Sequence, residues 1–212
     1  MGKSATQHTL TSIEELEAVY GTAVPAALTK ELDHISDHYG QFIAASPFVI
    51  VATSGPEGLD CSPRGDPPGF VRIQDAKTLL IPDRRGNNRI DTLRNLVGNP
   101  AISLLFLIPG VGDTIRVNGS AKIMTTPALL QSFQIQDKLP RSVIQVTVNS
   151  VYFQCQKALT RSRLWNAEFH IERSRLPSTG SMIQQMIEDQ EGEFDGKAYD
   201  EGYSEHMKRT IY

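Results

Sequence analysis

The stretch IPDRRGNNRIDTLRNLVGN, residues 81–99, sets the reading of the whole chain. A short apolar strand ends at Pro82, passes into Asp83-Arg84-Arg85-Gly86-Asn87-Asn88-Arg89, and enters a helix with apolar residues at Ile90, Leu93, Leu96 and Val97. That order outlines a phosphate site. Gly86 suits the positive φ of a tight anion-wrapping turn, the amides after it point into the concavity, and a helix beginning near Asn88 adds its positive dipole end. Arg84, Arg85 and Arg89 are close enough for one of them to offer a bidentate fork to a phosphate oxygen. The same residues also make an ordinary polar loop, with arginines in water and Asn88 as an N-cap. The stretch by itself leaves both open.

Composition narrows the classes. A chain of 212 residues with 40% hydrophobic content fits one domain of ordinary size with short extensions. The net charge of -3, from 21 basic and 24 acidic residues, provides no large positive field for a nucleic-acid partner, so a local basic loop suits a small anion. Cys61 and Cys155 stand far apart with no CxxC or His/Cys ligand spacing, which indicates neither a metal site nor a disulfide scaffold. The first residues lack an apolar signal core and no run of eighteen apolar residues occurs. The expectation is a soluble cytoplasmic protein without a membrane partner.

Before the central stretch, a Ser12–Glu15 capping box opens a helix to about Tyr20, closed by Gly21. Residues 25–45 read as one long helix, with Leu28, Leu32, Ile35, Tyr39, Phe42 and Ile43 at helical spacing. His34 and His38 share its polar face, a metal geometry in principle and a solvated face by preference. At Pro47 the period becomes extended. PFVIVATSGPEGLDCSPRGD, residues 47–66, reads as an antiparallel hairpin around Gly-Pro-Glu-Gly. Its second arm puts Pro63 and Arg64 where a central strand would take neither, and irregular backbone of this kind often lies beside a ligand. Residues 70–73 and 78–81 form the next strand pair.

After the central stretch, residues 101–108 form an apolar run expected to be buried on both faces. Residues 114–125 alternate, with Ile115, Val117, Gly119, Ala121 and Ile123 on one side. Pro127 starts a short helix to about Gln136, and residues 142–154 make the longest strand. Six or seven antiparallel strands with inserted helices and no β-α-β alternation argue for a small barrel. No GxGxxG follows a strand, so a dinucleotide fold is unsupported. Lys157, Arg161 and Arg163 then gather beside the one tryptophan, Trp165. Farther on, a helix over 181–190 carries a Met182, Ile183, Met186, Ile187 stripe, expected to pack on the body or a neighbour, and Glu-Gly-Glu-Phe-Asp-Gly at 191–196 reads as loosely ordered.

Residues 42–165 resemble the pyridoxamine 5'-phosphate oxidase-like, FMN-binding split-barrel proteins, on three separated motifs: SPRGD at 62–66, PDRRGNNRIDTLRNL at 82–96 and KALTRSRLW at 157–165. The resemblance implies a mainly β fold, a six- to seven-stranded antiparallel split β-barrel, with a helical extension at 1–41 and a helical extension and tail at 166–212. It also implies a homodimer with FMN at the subunit interface. Matched by position, Asn87, Asn88 and Arg89 look like the phosphate loop, with Arg84 or Arg85 as a second cation. Ser62, Pro63 and Arg64 match the strand along the ribityl chain and ring edge, and Ile81, Pro82 and Asp83 the strand beside it. Lys157, Arg161 and Trp165 look like the partner's contribution. A flavin needs a cationic clamp at its phosphate, apolar cover for its rings, and positive charge or N–H donors where reduction places negative charge. The Arg-Leu-His-Asp-Arg-like segment of true pyridoxamine phosphate oxidases is not found, so vitamin B6 oxidation is not implied. What the resemblance implies is an FMN-dependent oxidoreductase moving a hydride between flavin N5 and NAD(P)H or a small substrate. Its alternatives are a flavin carrier or sensor, or a barrel for F420 or heme. No catalytic side chain is assigned, and His34, His38 and His170 fall in no catalytic set.

Overall fold

The computed structural model describes residues 9–56, 58–190 and 192–212. It divides into two units, residues 1–31 and 32–212. In the first, α1 (Ile13–Tyr20) starts at Ser12, whose hydroxyl accepts the Glu15 amide at 3.2 Å. It stops at Gly21, which takes the left-handed φ of 69° that the capping box and glycine foretold. A second short helix, α2 (Pro25–Thr29), has its proline in the first turn, and no residue of either helix is buried. Residues 1–8 of the expected extension lie outside the described residues.

The single long helix expected over 25–45 does not form. Leu32 and Val151 exchange backbone hydrogen bonds of 3.0 and 2.8 Å, and the Ile35 amide donates to Ala76 at 2.8 Å. Those groups are committed to the sheet and are lost to a helical ladder. Helix resumes only at α3 (Asp37–Ala45), capped by Ser36. His34 therefore sits off that helix, with Nδ1 2.8 Å from Asp33, and no metal-holding cluster occurs among the described residues.

Seven strands follow: β1 (Phe48–Gly55), β2 (Gly58–Gly65), β3 (Arg72–Asp75), β4 (Thr78–Asp83), β5 (Ala101–Leu107), β6 (Thr114–Met124) and β7 (Ser142–Gln154). All pair antiparallel, in the order β2-β1-β5-β6-β7-β4-β3. This is the split-barrel architecture that the resemblance implies. The β1–β2 hairpin closes with Gly55 opposite Gly58, and Glu57 of the expected turn is outside the described residues. β2 is an edge strand, which is why Pro63 is tolerated opposite Ile50.

The core joins Val49 and Val51 of β1, Leu79 and Ile81 of β4, Leu104 of β5, Ile115 and Val117 of β6, and Ile144, Val146 and Val151 of β7. The expectation for β5 fails in part. Ile102, Leu104 and Phe106 are buried, but Ser103, Leu105 and Leu107 are only half covered, because this sheet packs its core on one side. On β6 the alternation holds until a bulge between Asn118 and Gly119, where a Cβ on Gly119 would collide with the Thr147 carbonyl. The helix of the central stretch, α4 (Asp91–Gly98), packs on β1 through Asn95, whose amide nitrogen donates to Thr53 at 3.2 Å.

α5 (Pro127–Ser132) is shorter than expected, and the chain then turns through left-handed Gln136 and Asp137. α6 (Lys157–Ser162) leads to Trp165, whose indole N–H donates to the Val111 carbonyl at 2.8 Å. α7 (Thr179–Glu188) matches the expected helix, with Met182 and Met186 still exposed. Beyond it the chain forms α8 (Gly196–Thr210), which no sequence pattern announces. Asp195 caps it, and it is tied to α7 where Asp200 accepts the Gly180 amide at 2.8 Å and Gln184 accepts the Gly196 amide at 3.1 Å. Gly180 and Gly196 let the two backbones meet: a Cβ on Gly196 would lie 2.6 Å from the Gly180 carbonyl oxygen. Among the described residues, no helix is long and apolar enough to cross a membrane.

Candidate functional site

The ends of β2 and β4 lie beside the loop that leads into α4, and together they frame a cleft of about 650 Å³. Antiparallel pairing of β4 with β7 sets Asp83 opposite Ser142, and the Arg141 amide donates to the Asp83 carbonyl at 3.3 Å. The start of β7 thus becomes the cleft's third wall. Four arginines line it, Arg64, Arg84, Arg85 and Arg141, against two aspartates, Asp66 and Asp83.

Most of these charges are held in place. Arg84 donates through Nε to Asp66 at 2.8 Å and through an Nη to the Phe133 carbonyl at 2.7 Å. Arg141 donates to the Asn88 side-chain oxygen at 2.6 Å. Arg64 reaches Thr92 at 3.3 Å and lies 3.6 Å from Asp83, while Thr92 donates to Asp60. Burial pushes the Asp83 carboxyl above its ordinary range, opposed by the charges of Arg64 and Arg141. Two buried donors on residues of this wall, Arg64 Nε and Ser142 Oγ, have no hydrogen-bond partner among the described residues. Buried polar groups are nearly always paired, so these two atoms, on residues that line one cleft, are exceptions.

The loop differs from its sequence expectation in one respect. Gly86 does not take a positive φ. Asn88 and Ile90 do, at 68° and 55°, and α4 begins at Asp91 with Ile90 as its cap, not at Asn88. A β-branched residue in that conformation is strained, and such strain persists only where the surroundings impose it.

The structure brings together Pro63, Arg64, Pro82, Asp83, Arg84, Arg85, Asn87 and Asn88 around the cleft. It does not bring the other sequence candidates there. Ser62 hydrogen-bonds Asp60, and Ile81 is fully buried in the core. Arg89 turns outward, its side chain 76% exposed and its Nε 2.9 Å from Asp91, and it lines a separate hollow with Asp60 and Arg94. Lys157, Arg161 and Trp165 belong to the α6 region and are not among the residues lining the cleft of this chain. Sequence reasoning missed Arg141, Ser142 and Tyr212. A basic residue just ahead of the longest strand was the available signal for the first two, but only strand pairing shows which loop it faces.

Fold and site together define a split β-barrel with an anion-compatible cleft at its strand ends. The chain belongs to the pyridoxamine 5'-phosphate oxidase family, whose model matches residues 35–155, more than half of its length. No curated protein sequence matches it. Among solved structures it is similar to HupZ of Group A Streptococcus, at 21% identity over 55% of this chain and 91% of that one, with a TM-score of 0.46. It is also similar to general stress protein 26 of Bacillus anthracis, at 14% identity over 53% and 88%, with a TM-score of 0.41. An F420 reductase gives 15% identity over 57% and 98%, with a TM-score of 0.41.

Proposed function

We propose that the cleft binds FMN and that the chain is a cytoplasmic FMN-dependent oxidoreductase working as a homodimer. The observation that carries this reading is the pair of unpartnered buried donors, Arg64 Nε and Ser142 Oγ, set in a wall of four arginines. Each unpaired buried donor costs about 1–3 kcal/mol, a cost that a ligand oxygen reaching it would offset. A cleft of about 650 Å³ is of a size to take a mononucleotide. Pro47, Pro63, Pro67, Phe70 and Pro82 add the apolar lining a flat ring system requires.

When bound, the flavin supplies hydride acceptance and donation at N5. The chain's own residues bind and orient. Arg84, Arg85 and Arg141 supply the cationic end, with Asn87 and Asn88 in the loop between them. Arg64 offers an unpaired N–H that suits a group gaining negative charge on reduction. Lys157, Arg161 and Trp165 are proposed to come from a second copy, since they do not line this chain's own cleft. Heme is the weaker alternative: among the described residues no histidine, cysteine or methionine lines the cleft, and Tyr212 is already bonded to Asp66.

The test is an absorption spectrum of the purified protein after loading with FMN, followed by NADPH or NADH without oxygen. Flavin bands that bleach support the oxidoreductase, with a small-molecule acceptor to be sought. Bands that persist point to a carrier or to another electron donor. A protein that takes F420 and not FMN overturns the cofactor while keeping the site. Sedimentation with and without FMN checks the homodimer.

A further inference from the structure

The segment after α8 returns to the cleft, and Ile211 and Tyr212 form part of its wall. Tyr212 donates its phenolic hydrogen to Asp66 Oδ1 at 2.6 Å. The other oxygen of Asp66 accepts from Arg84 at 2.8 Å, and the Arg84 guanidinium stands 5.7 Å from the Tyr212 ring centre. The side chain of Asp66 is 1% exposed. The phenol is therefore bonded to a carboxylate that is itself fixed, a charge-assisted bond stronger than one between neutral groups.

A second, smaller cavity of about 210 Å³ adjoins the first and adds Lys138 to its lining. The two share Arg84, Arg85, Arg141 and Tyr212, so Tyr212 stands at their junction. Little else of the segment is anchored: Ile211 is exposed, and in α8 only Gly196 is buried. An element with few buried contacts opens at low free-energy cost.

We propose that Tyr212 is the gate residue of the cleft: latched to Asp66, it holds residues 211–212 across the junction of the two cationic chambers, and an anionic ligand exchanges with solvent when that latch opens. The inference rests on the cleft being the ligand site, not on the ligand being FMN. The bond to Asp66 also holds the phenol's pKa above its ordinary value, so the donor hydrogen is present throughout the neutral range.

The experiment compares the wild-type chain with Tyr212→Phe, which keeps the ring and loses the donor, and with Tyr212→Ala. Stopped-flow fluorescence follows FMN binding and release. A latch worth one charge-assisted hydrogen bond predicts that Tyr212→Ala raises both rates by about tenfold while the dissociation constant moves less than about threefold. Tyr212→Phe, which removes the same bond, raises both rates by a similar factor. Unchanged rates overturn the gate. A rise in release alone, with affinity falling in proportion, also overturns it, because Tyr212 would then be a direct ligand contact. Hydrogen exchange of the peptide over residues 205–212 is measured in parallel without any ligand. Faster exchange in Tyr212→Phe supports the latch, and equal exchange removes it. Should the wild type take no FMN, the flavin reading falls and the exchange comparison alone decides the gate.

Discussion

Asp66 and Arg84 form an ion pair of 2.8 Å in which the aspartate side chain is 1% exposed and the arginine side chain 15% exposed. One comes from the end of the SPRGD motif and the other from the loop after β4, so this contact ties two walls of the cleft together. Removing one member of a buried pair costs more than the pair contributes, because the remaining charge is left without its counter-ion, here with the neutral Tyr212 hydroxyl alone as partner. Arg84→Ala is expected to lower unfolding stability in urea by about 3–5 kcal/mol. A loss below about 1 kcal/mol would mean that the pair is solvated in solution.

Arg141 and Arg89 separate the cleft from its surroundings. Arg141 lines it and holds Asn88, whereas Arg89 points outward to Asp91. Loss of a charge-assisted contact to phosphate is worth about 1.5–3 kcal/mol, so Arg141→Ala should weaken FMN binding by roughly tenfold to a hundredfold. Arg89→Ala should leave it within about threefold. Equal losses in a fluorescence titration would place the anion outside this cleft.

Asp83 yields a pH signature. Its folded pKa is raised above 3.8, chiefly by burial. A carboxyl shifted this way favours the folded state below its unfolded pKa, and that contribution is lost as pH rises through the folded value. At neutral pH the ionised Asp83 is therefore a cost. Asp83→Asn should raise the melting temperature at neutral pH, and the gain should vanish as the pH falls below 3.8. It should also tighten binding of an anion, since a negative charge leaves the wall. A neutral-pH melting temperature below that of the wild type would show that pairing with Arg64 and Arg141 outweighs burial.

Gly119 tests the barrel itself. Its position at the β6 bulge leaves no space beside the Thr147 carbonyl. Gly119→Ala must move backbone, not a flexible side chain, and overpacking of this kind costs about 1–3 kcal/mol. Thermal unfolding should show the loss, and an unchanged melting temperature would mean that the β6–β7 register is different.

Much of the fold was legible because strands announce themselves locally. Alternation marked β6 and β7, and Gly-Pro-Glu-Gly marked the β1–β2 hairpin. Proline in SPRGD marked irregular backbone, and the sheet order shows that β2 is an edge strand. The departures share one cause. Leu32 has a helical pattern, yet sheet pairing with Val151 took its amide, and the long helix broke. α8 has too little apolar periodicity to declare itself, and it exists through Asp200 and Gln184 contacts with the first turns of α7 and α8.

The candidate site divides the same way. Sequence by itself determined the residue types: a proline and an arginine interrupting a strand, and a PDRRGNN loop suited to an anion. Tertiary structure decided which of them meet. Arg141 reaches Asn88 and Tyr212 reaches Asp66 across 53 and 146 residues of chain. Left-handed turns at Asn88 and Ile90 accompany the outward course of Arg89. Periodicity and turn chemistry act over a few residues, whereas strand register and the burial of a charge depend on partners brought from elsewhere in the chain.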